Sequence, residues 1–97
     1  MSRKLRDAAR GKPCMVRIPG VCNGDPETTV GAHLRVTGTC GVGQKPPDIL
    51  MVYACSSCHD EIDRRTHYCD AEQVKLWALE ALARQLADMW ERGEINL

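Results

Sequence analysis

Phenylalanine is absent from this sequence, and the aromatic residues stop at two Trp and two Tyr. A chain of 97 residues buries only a modest fraction of its surface, so one this poor in large side chains should need a metal or a cross-link beside packing. A long hydrophobic run is also missing: no segment approaches the ~20 apolar residues of a membrane span. Met1 to Lys12 reads MSRKLRDAARGK, with charges every few residues where a signal peptide would carry an apolar core. A cytoplasmic chain is expected. Excess charge of one sign is missing too, with thirteen basic residues against thirteen acidic. There are no internal repeats, low-complexity tracts or separating linkers, so residues 1–97 read as a single domain.

Cysteine is what the chain has in quantity, six in all. Where thiols stay reduced, paired cysteines more often mean metal than disulfide. Cys55-Ser56-Ser57-Cys58 is a C-x-x-C knuckle, a spacing that lets both thiolates reach one tetrahedral ion while backbone amides point at the sulfurs. Cys14 and Cys22 supply the second pair across a Pro19-Gly20 turn, and the four together read as one structural zinc site. Cys40, in a glycine-rich loop, is an alternative ligand in place of Cys14 or Cys22. Cys69 reads as a buried free thiol. Cys55 to His59 also spells C-x-x-C-H, the c-type haem attachment pattern, but attachment requires export, which this N-terminus does not support.

The pattern of elements is α+β. Residues 1–10 suggest a short helix ending at Gly11. Pro13 to Cys22 suggests a zinc-ribbon-like knuckle with Val16 and Ile18 as β-formers. Thr28 to Leu34 is a short strand carrying His33, and Thr37 to Pro47 is loop. Ile49 to Ala54 is an apolar run suited to a buried strand, and Cys58 to Arg65 opens a helix with His59 and Asp63 on one face. Asp70 as N-cap, Gln73 three residues on and Gly93 as stop mark a long helix from Ala71 to about Arg92. It carries two apolar stripes. Val74, Trp77, Ala78, Ala81, Leu82 and Met89 form one; Leu76, Leu79, Ala83, Leu86 and Trp90 form the other. A helix packed on two sides explains both stripes, and so does a homodimer through this C-terminal helix.

Charge is unevenly spread. Residues 1–20 carry six basic side chains against one acidic, whereas residues 70–97 carry three against six. The basic arm, residues 1–12, suits phosphate contacts or a solvated tail.

The stretches KPCMVRIPGVCN, VGAHLRV and ACSSCHDEID, in that order, closely resemble the YbcO family of prophage-encoded nucleases over nearly the whole chain. They also resemble the ββα-metal finger of HNH endonucleases. The resemblance implies a small zinc-stapled ββα-metal (HNH or treble-clef-like) module followed by a long C-terminal helix. The arm would then occupy 1–12, the zinc-bound ββα core 13–67 and the helix 70–93. It implies a metal-dependent endonuclease acting on DNA phosphodiester bonds, with His33 as the general base. His59 and Asp63 would be ligands of a catalytic magnesium or another divalent ion, and His67 a further candidate ligand. Arg35, Arg64 and Arg65 are candidates for holding flanking phosphates. Two positions depart from the HNH pattern. The residue before the base, often Asp or His, is Ala32, and the central Asn that braces the loop is missing, with Asp48 the nearest residue to fill its role. The competing reading is a non-catalytic zinc-binding module that contacts nucleic acid or protein.

Overall fold

Two strands of four residues each carry the sheet in the computed structural model: β1, Val30–His33, and β2, Met51–Ala54. The structure describes residues 8–36, 38, 41, 43 and 46–95. The strands pair antiparallel, with Val30 opposite Ala54 and His33 opposite Met51. Both are shorter than the apolar runs that announce them. Asp25 caps a 3₁₀ turn at Pro26–Thr28 by accepting from the Glu27 amide, which takes Thr28 out of the strand. A second 3₁₀ turn, Asp48–Leu50, does the same ahead of β2 and leaves Ile49 exposed. The Leu34 amide still donates to the Leu50 carbonyl at 3.0 Å, carrying the pairing one step beyond β1.

β2 is buried along its whole length, so its outer edge must find hydrogen-bond partners within the protein. Gln85 provides them. Its Oε1 accepts from the Tyr53 amide at 2.7 Å and its Nε2 donates to the Met51 carbonyl at 2.8 Å. The Met15 amide takes the Tyr53 carbonyl at 2.8 Å, and the Arg84 guanidinium holds the Met15 carbonyl at 3.1 Å. One glutamine and one loop amide thus replace a third strand.

Helix α1, Ser56–Ile62, starts inside the cysteine knuckle, because the Cys55 sulfur itself is the N-cap and accepts from the Cys58 amide. It also ends before Arg65. Arg64 takes a positive φ of 60°, and the Arg64 and Arg65 amides bond back to the Glu61 and Asp60 carbonyls, a Schellman closure in which arginine does the usual work of glycine. Helix α2, Ala71–Glu91, begins at Asp70, whose side chain accepts from the Gln73 amide. It closes the same way, with Gly93 at φ 74°. The first stripe of α2 faces β2 and α1, with Val74, Ala78, Ala81, Leu82 and Met89 buried and Trp77 partly so. Leu79 and Leu86 of the second stripe are partly covered by the core, while Leu76, Ala83 and Trp90 stay exposed. Among the described residues no helix is long and apolar enough to cross a membrane.

At the N-terminus, residues 8 and 9 are helical and the Lys12 amide closes on the Ala9 carbonyl. The rest of the helix expected over residues 1–10 lies outside the described residues. So does Cys40.

Among the described residues the five largest fully buried side chains are Ile18, Glu61, Val52, Cys55 and Cys58, only two of which are hydrocarbon. Glu61 lies inside the turn that links α1 to α2. It accepts from the Thr66 hydroxyl and the Tyr68 amide on one oxygen, and from the Cys69 amide and Arg64 on the other. The Thr66 hydroxyl above all, with the Cys69 and Tyr68 amides, holds the carboxyl below the usual glutamate range despite the opposing effect of burial.

Two predictions follow from these buried polar groups. Gln85→Met keeps the volume but strands the Tyr53 amide and Met51 carbonyl. At about 1–3 kcal/mol for each buried unpaired group, it should cost about 2–6 kcal/mol in urea unfolding. Unchanged stability would show that the edge of β2 does not depend on Gln85. For Glu61, a depressed folded pKa means stability that is present above the ordinary value near 4.5 and lost as pH falls through the folded value. Glu61→Gln should therefore be less stable than the parent at pH 7, with the gap closing in acid; a gap independent of pH would remove the ionised carboxylate from the account.

Candidate functional site

Cys14 and Cys22 reach one place because the chain between them makes two turns in series. In the first, Arg17 adopts a positive φ of 51°, which aims its amide at the Cys14 sulfur at 3.4 Å, while its Nε donates to the Cys14 carbonyl at 2.9 Å. In the second, Pro19-Gly20 reverses the chain, and the Val21 and Cys22 amides donate to the Ile18 carbonyl at 3.1 and 2.9 Å. No strand forms at Val16 and Ile18; both side chains are buried, Val16 in a bend and Ile18 just before the Pro19-Gly20 turn. Cys55 and Cys58 arrive from the opposite side, at the end of β2 and in the first turn of α1.

The four sulfurs lie within 4.8 Å of one another, and those of Cys22 and Cys55 are 3.8 Å apart. An ion with metal–sulfur bonds of ~2.3 Å in tetrahedral geometry separates its sulfurs by ~3.8 Å, so the set fits such an ion. Each sulfur also receives a backbone amide: Cys14 from Arg17 and Val16, Cys22 from Gly24, Cys55 from Asn23 and Cys58, and Cys58 from Ile18. These amides favour thiolate over thiol. The sulfurs oppose one another, however. A hydrogen bond from the Cys58 thiol holds Cys14 down at about 4, and the same contact, with burial, pushes Cys58 up. Burial likewise raises Cys22. A divalent cation is what would let all four ionise together, so the cysteines can hold a metal ion such as zinc.

A cleft of about 410 Å³ opens between the His33 end of β1, the end of α1 and the first turns of α2. His33, Arg35, Asp63, Arg64 and Lys75 stand around it over an apolar floor that includes Val36, Ile62 and Val74. His33 is half-buried, and its Nε2 lies 2.7 Å from an oxygen of Asp48. A carboxylate can only accept there, so Nε2 carries the proton and Nδ1 keeps the basic lone pair. Register makes the contact, since His33 faces Met51 across the sheet and Asp48 lies in the 3₁₀ turn just before it.

His59 and Asp63 are joined at 3.0 Å, Nε2 to Oδ2, one turn apart on α1. Asp63 lines the cleft and also meets Arg65 at 3.4 Å. His33, His59 and Asp63 form two separate pairs rather than one cluster; among the described residues the cysteines alone bring three or more such ligand atoms within 4.8 Å. His67 is exposed, its Nδ1 3.2 Å from Arg64 Nη2. Arg64 is thus shared among the cleft, Glu61, His67 and the Cys69 carbonyl. Arg65 is 60% exposed and pairs with Asp60 and Asp63.

Sequence reading missed three of these residues. Lys75 has no local signal for its place in the cleft. Glu61 had one, since it falls three residues after Cys58 on the inward face of α1. Gln85 falls between Leu82 and Met89 on the buried stripe, where a polar residue calls for a buried partner.

Over residues 3–94 the chain matches the family described as "Putative nuclease YbcO". Two curated relatives carry that name, one from Escherichia coli K-12 and one from Enterobacteria phage 82. Each is 66% identical over 92 residues, covering 95% of this chain and 96% of the relative. A solved structure described as a "putative bacteriophage protein" from E. coli K-12 is 54% identical. It superposes with a TM-score of 0.79 over 93% of this chain and 100% of its own. With a match of this extent and relatives of this identity, the chain belongs to the YbcO family.

Proposed function

We propose that this protein is a metal-dependent endonuclease of the HNH type that hydrolyses DNA phosphodiester bonds in the cleft between β1, the end of α1 and α2. The observation that carries the reading is the His33–Asp48 pair, 2.7 Å apart at the mouth of a cleft that also holds Arg35 and Arg64. The order of parts supports it: antiparallel β1 and β2, then α1 entered through a cysteine knuckle, which is the ββα-metal arrangement. The relatives' nuclease names point the same way.

His33 acts through Nδ1 as the base that takes a proton from the attacking water, and Asp48 holds the ring and stabilises the imidazolium that forms. Arg35 and Arg64 line the cleft where the scissile phosphate would lie, and Arg65, which pairs with the cleft-lining Asp63, would meet a flanking phosphate. The catalytic ion belongs at His59 and Asp63. His59 Nε2 and Asp63 Oδ2, 3.0 Å apart, are the two side chains that would hold it, a nitrogen and a carboxylate oxygen within reach of one ion. Magnesium or another divalent ion there would neutralise charge on the phosphate and on the leaving 3′ oxygen. Ala32 is fully buried and offers no ligand, so water and substrate phosphate complete the shell, or His67 once released from Arg64. The basic arm, residues 1–12, adds sequence-independent contacts to the DNA backbone.

The cysteine centre is assigned a structural zinc, held by Cys14, Cys22, Cys55 and Cys58. All four positions are taken by protein, which leaves zinc no open site for chemistry. Its role is to tie the N-terminal turns to the entry of α1 and so fix the helix that carries His59 and Asp63.

Metal analysis is expected to give about one tightly held zinc per chain. Cys55→Ala and Cys58→Ala should unfold the protein, because structural zinc supplies folding free energy of about 10 kcal/mol or more. A fully folded, metal-free protein under reducing conditions would refute the assignment. For activity, purified protein should nick supercoiled plasmid with magnesium, manganese or nickel. His33→Ala should slow nicking by about 10²–10⁴-fold with zinc content and fold intact. Nicking unchanged in that variant would sink the base assignment. No nicking with any metal, in a folded and zinc-loaded sample, would favour the alternative of a non-catalytic zinc module that binds nucleic acid or protein.

A further inference from the structure

The second stripe of α2 is largely unused by the fold. Leu76, Leu79, Ala83, Leu86 and Trp90 follow one another at alternating intervals of three and four residues, the a and d positions of a heptad, over ~21 Å of helix. Leu79 and Leu86 are partly covered by the core, but Leu76 is 50% and Trp90 55% exposed, and Ala83 between them is exposed too. Of the five large hydrophobic residues exposed among the described residues, two therefore lie on this one line. Ala87 widens the apolar strip, and Glu72, one turn before Leu76, ends it with a charge.

We propose that this stripe is a self-association surface on which α2 of a second copy of the chain packs in parallel about a two-fold axis along the seam. Charge complementarity selects this occupant. In a parallel pair, a residue at heptad position g reaches the residue five places on, at position e, in the other helix. With Leu76 at a, Lys75 is g and Glu80 is e, so Lys75 meets the partner's Glu80, and the symmetry makes the pair twice. The face is thus complementary to itself in sign as well as in its apolar line. A seam this short is smaller than a standard stable interface, so a dimer with Kd of about 1–100 μM is expected.

Sedimentation equilibrium of the full, zinc-loaded chain from 5 to about 500 μM tests the proposal. A monomer–dimer equilibrium in the micromolar range is expected. Leu76→Glu and Trp90→Glu, both at exposed positions, should weaken it at least tenfold while leaving the circular dichroism and the melting temperature near the parent values. A reversed pair tests the geometry: Lys75→Glu and Glu80→Lys should each associate more weakly than the parent, and an equimolar mixture of the two should recover dimers. A monomer throughout the range overturns the proposal. So does a dimer indifferent to Leu76→Glu and Trp90→Glu. A mixture no stronger than the single variants overturns the parallel arrangement and with it the proposal as stated.

Discussion

Four sulfurs from three separate segments converge within 4.8 Å of one another, and the rest of the molecule is arranged around that convergence. The turns at Arg17 and Gly20 deliver the first two, the end of β2 the third and the first turn of α1 the fourth. Cys55 shows how closely centre and fold are joined: its sulfur belongs to the tetrahedral set and is also the cap of α1. Moving the centre would therefore move the helix that carries His59 and Asp63. The sulfurs' mutual opposition works in the same direction. Burial and the neighbouring sulfurs favour the protonated form of Cys58 and Cys22, so a cation bound by the four thiolates would also favour the closing of the N-terminal turns onto α1.

A core with no phenylalanine places unusual weight on buried polar groups. Gln85 and Glu61 hold backbone that a larger protein would cover with another strand or a longer helix. Gln85 satisfies the edge of β2 from α2, and Glu61 gathers the turn from Arg64 to Cys69 around one carboxylate. Each is fully bonded, which is the condition under which a buried polar group specifies a fold rather than weakening it. Gln85 also ties β2 to α2, the longest and most regular part of the chain, and Glu61 ties α1 to the turn that leads into it.

Legibility in the sequence followed how local the cause was. Asp70, Gln73 and Gly93 act within a few residues, and the limits of α2 fall within one residue of those they imply. The C-x-x-C pair is equally local. Helix α1 was misjudged at both ends for the converse reason: a cysteine acts as its cap and an arginine takes the left-handed position that normally marks a glycine. Val16 and Ile18 have β propensity and buried side chains, yet the two turns that serve Cys14 and Cys22 override the propensity. The contact between His33 and Asp48 depends on the register of β1 against β2. Their separation in sequence therefore suggests only that Asp48 is near, not that it reaches Nε2. Lys75 enters the cleft solely because α2 packs across β2 and α1, which no pattern along the chain encodes.

That crossing changes how the long helix should be understood. A ββα unit alone would present His33 and Asp63 on a shallow surface open to water. With Val74, Ala78 and Leu79 behind them, the same residues stand at the rim of a cleft with an apolar floor. Charges at such a rim are less screened than on an open face, so the positive potential of Arg35 and Arg64 is stronger there. Helix α2 is therefore a wall of the site as well as a support for the sheet. The side chains that anchor it, Gln85 on β2 and the first stripe on the core, leave Leu76, Ala83 and Trp90 of the second stripe on the surface, while Leu79 lines the cleft. The burial that builds the site thus determines which face of α2 is left exposed.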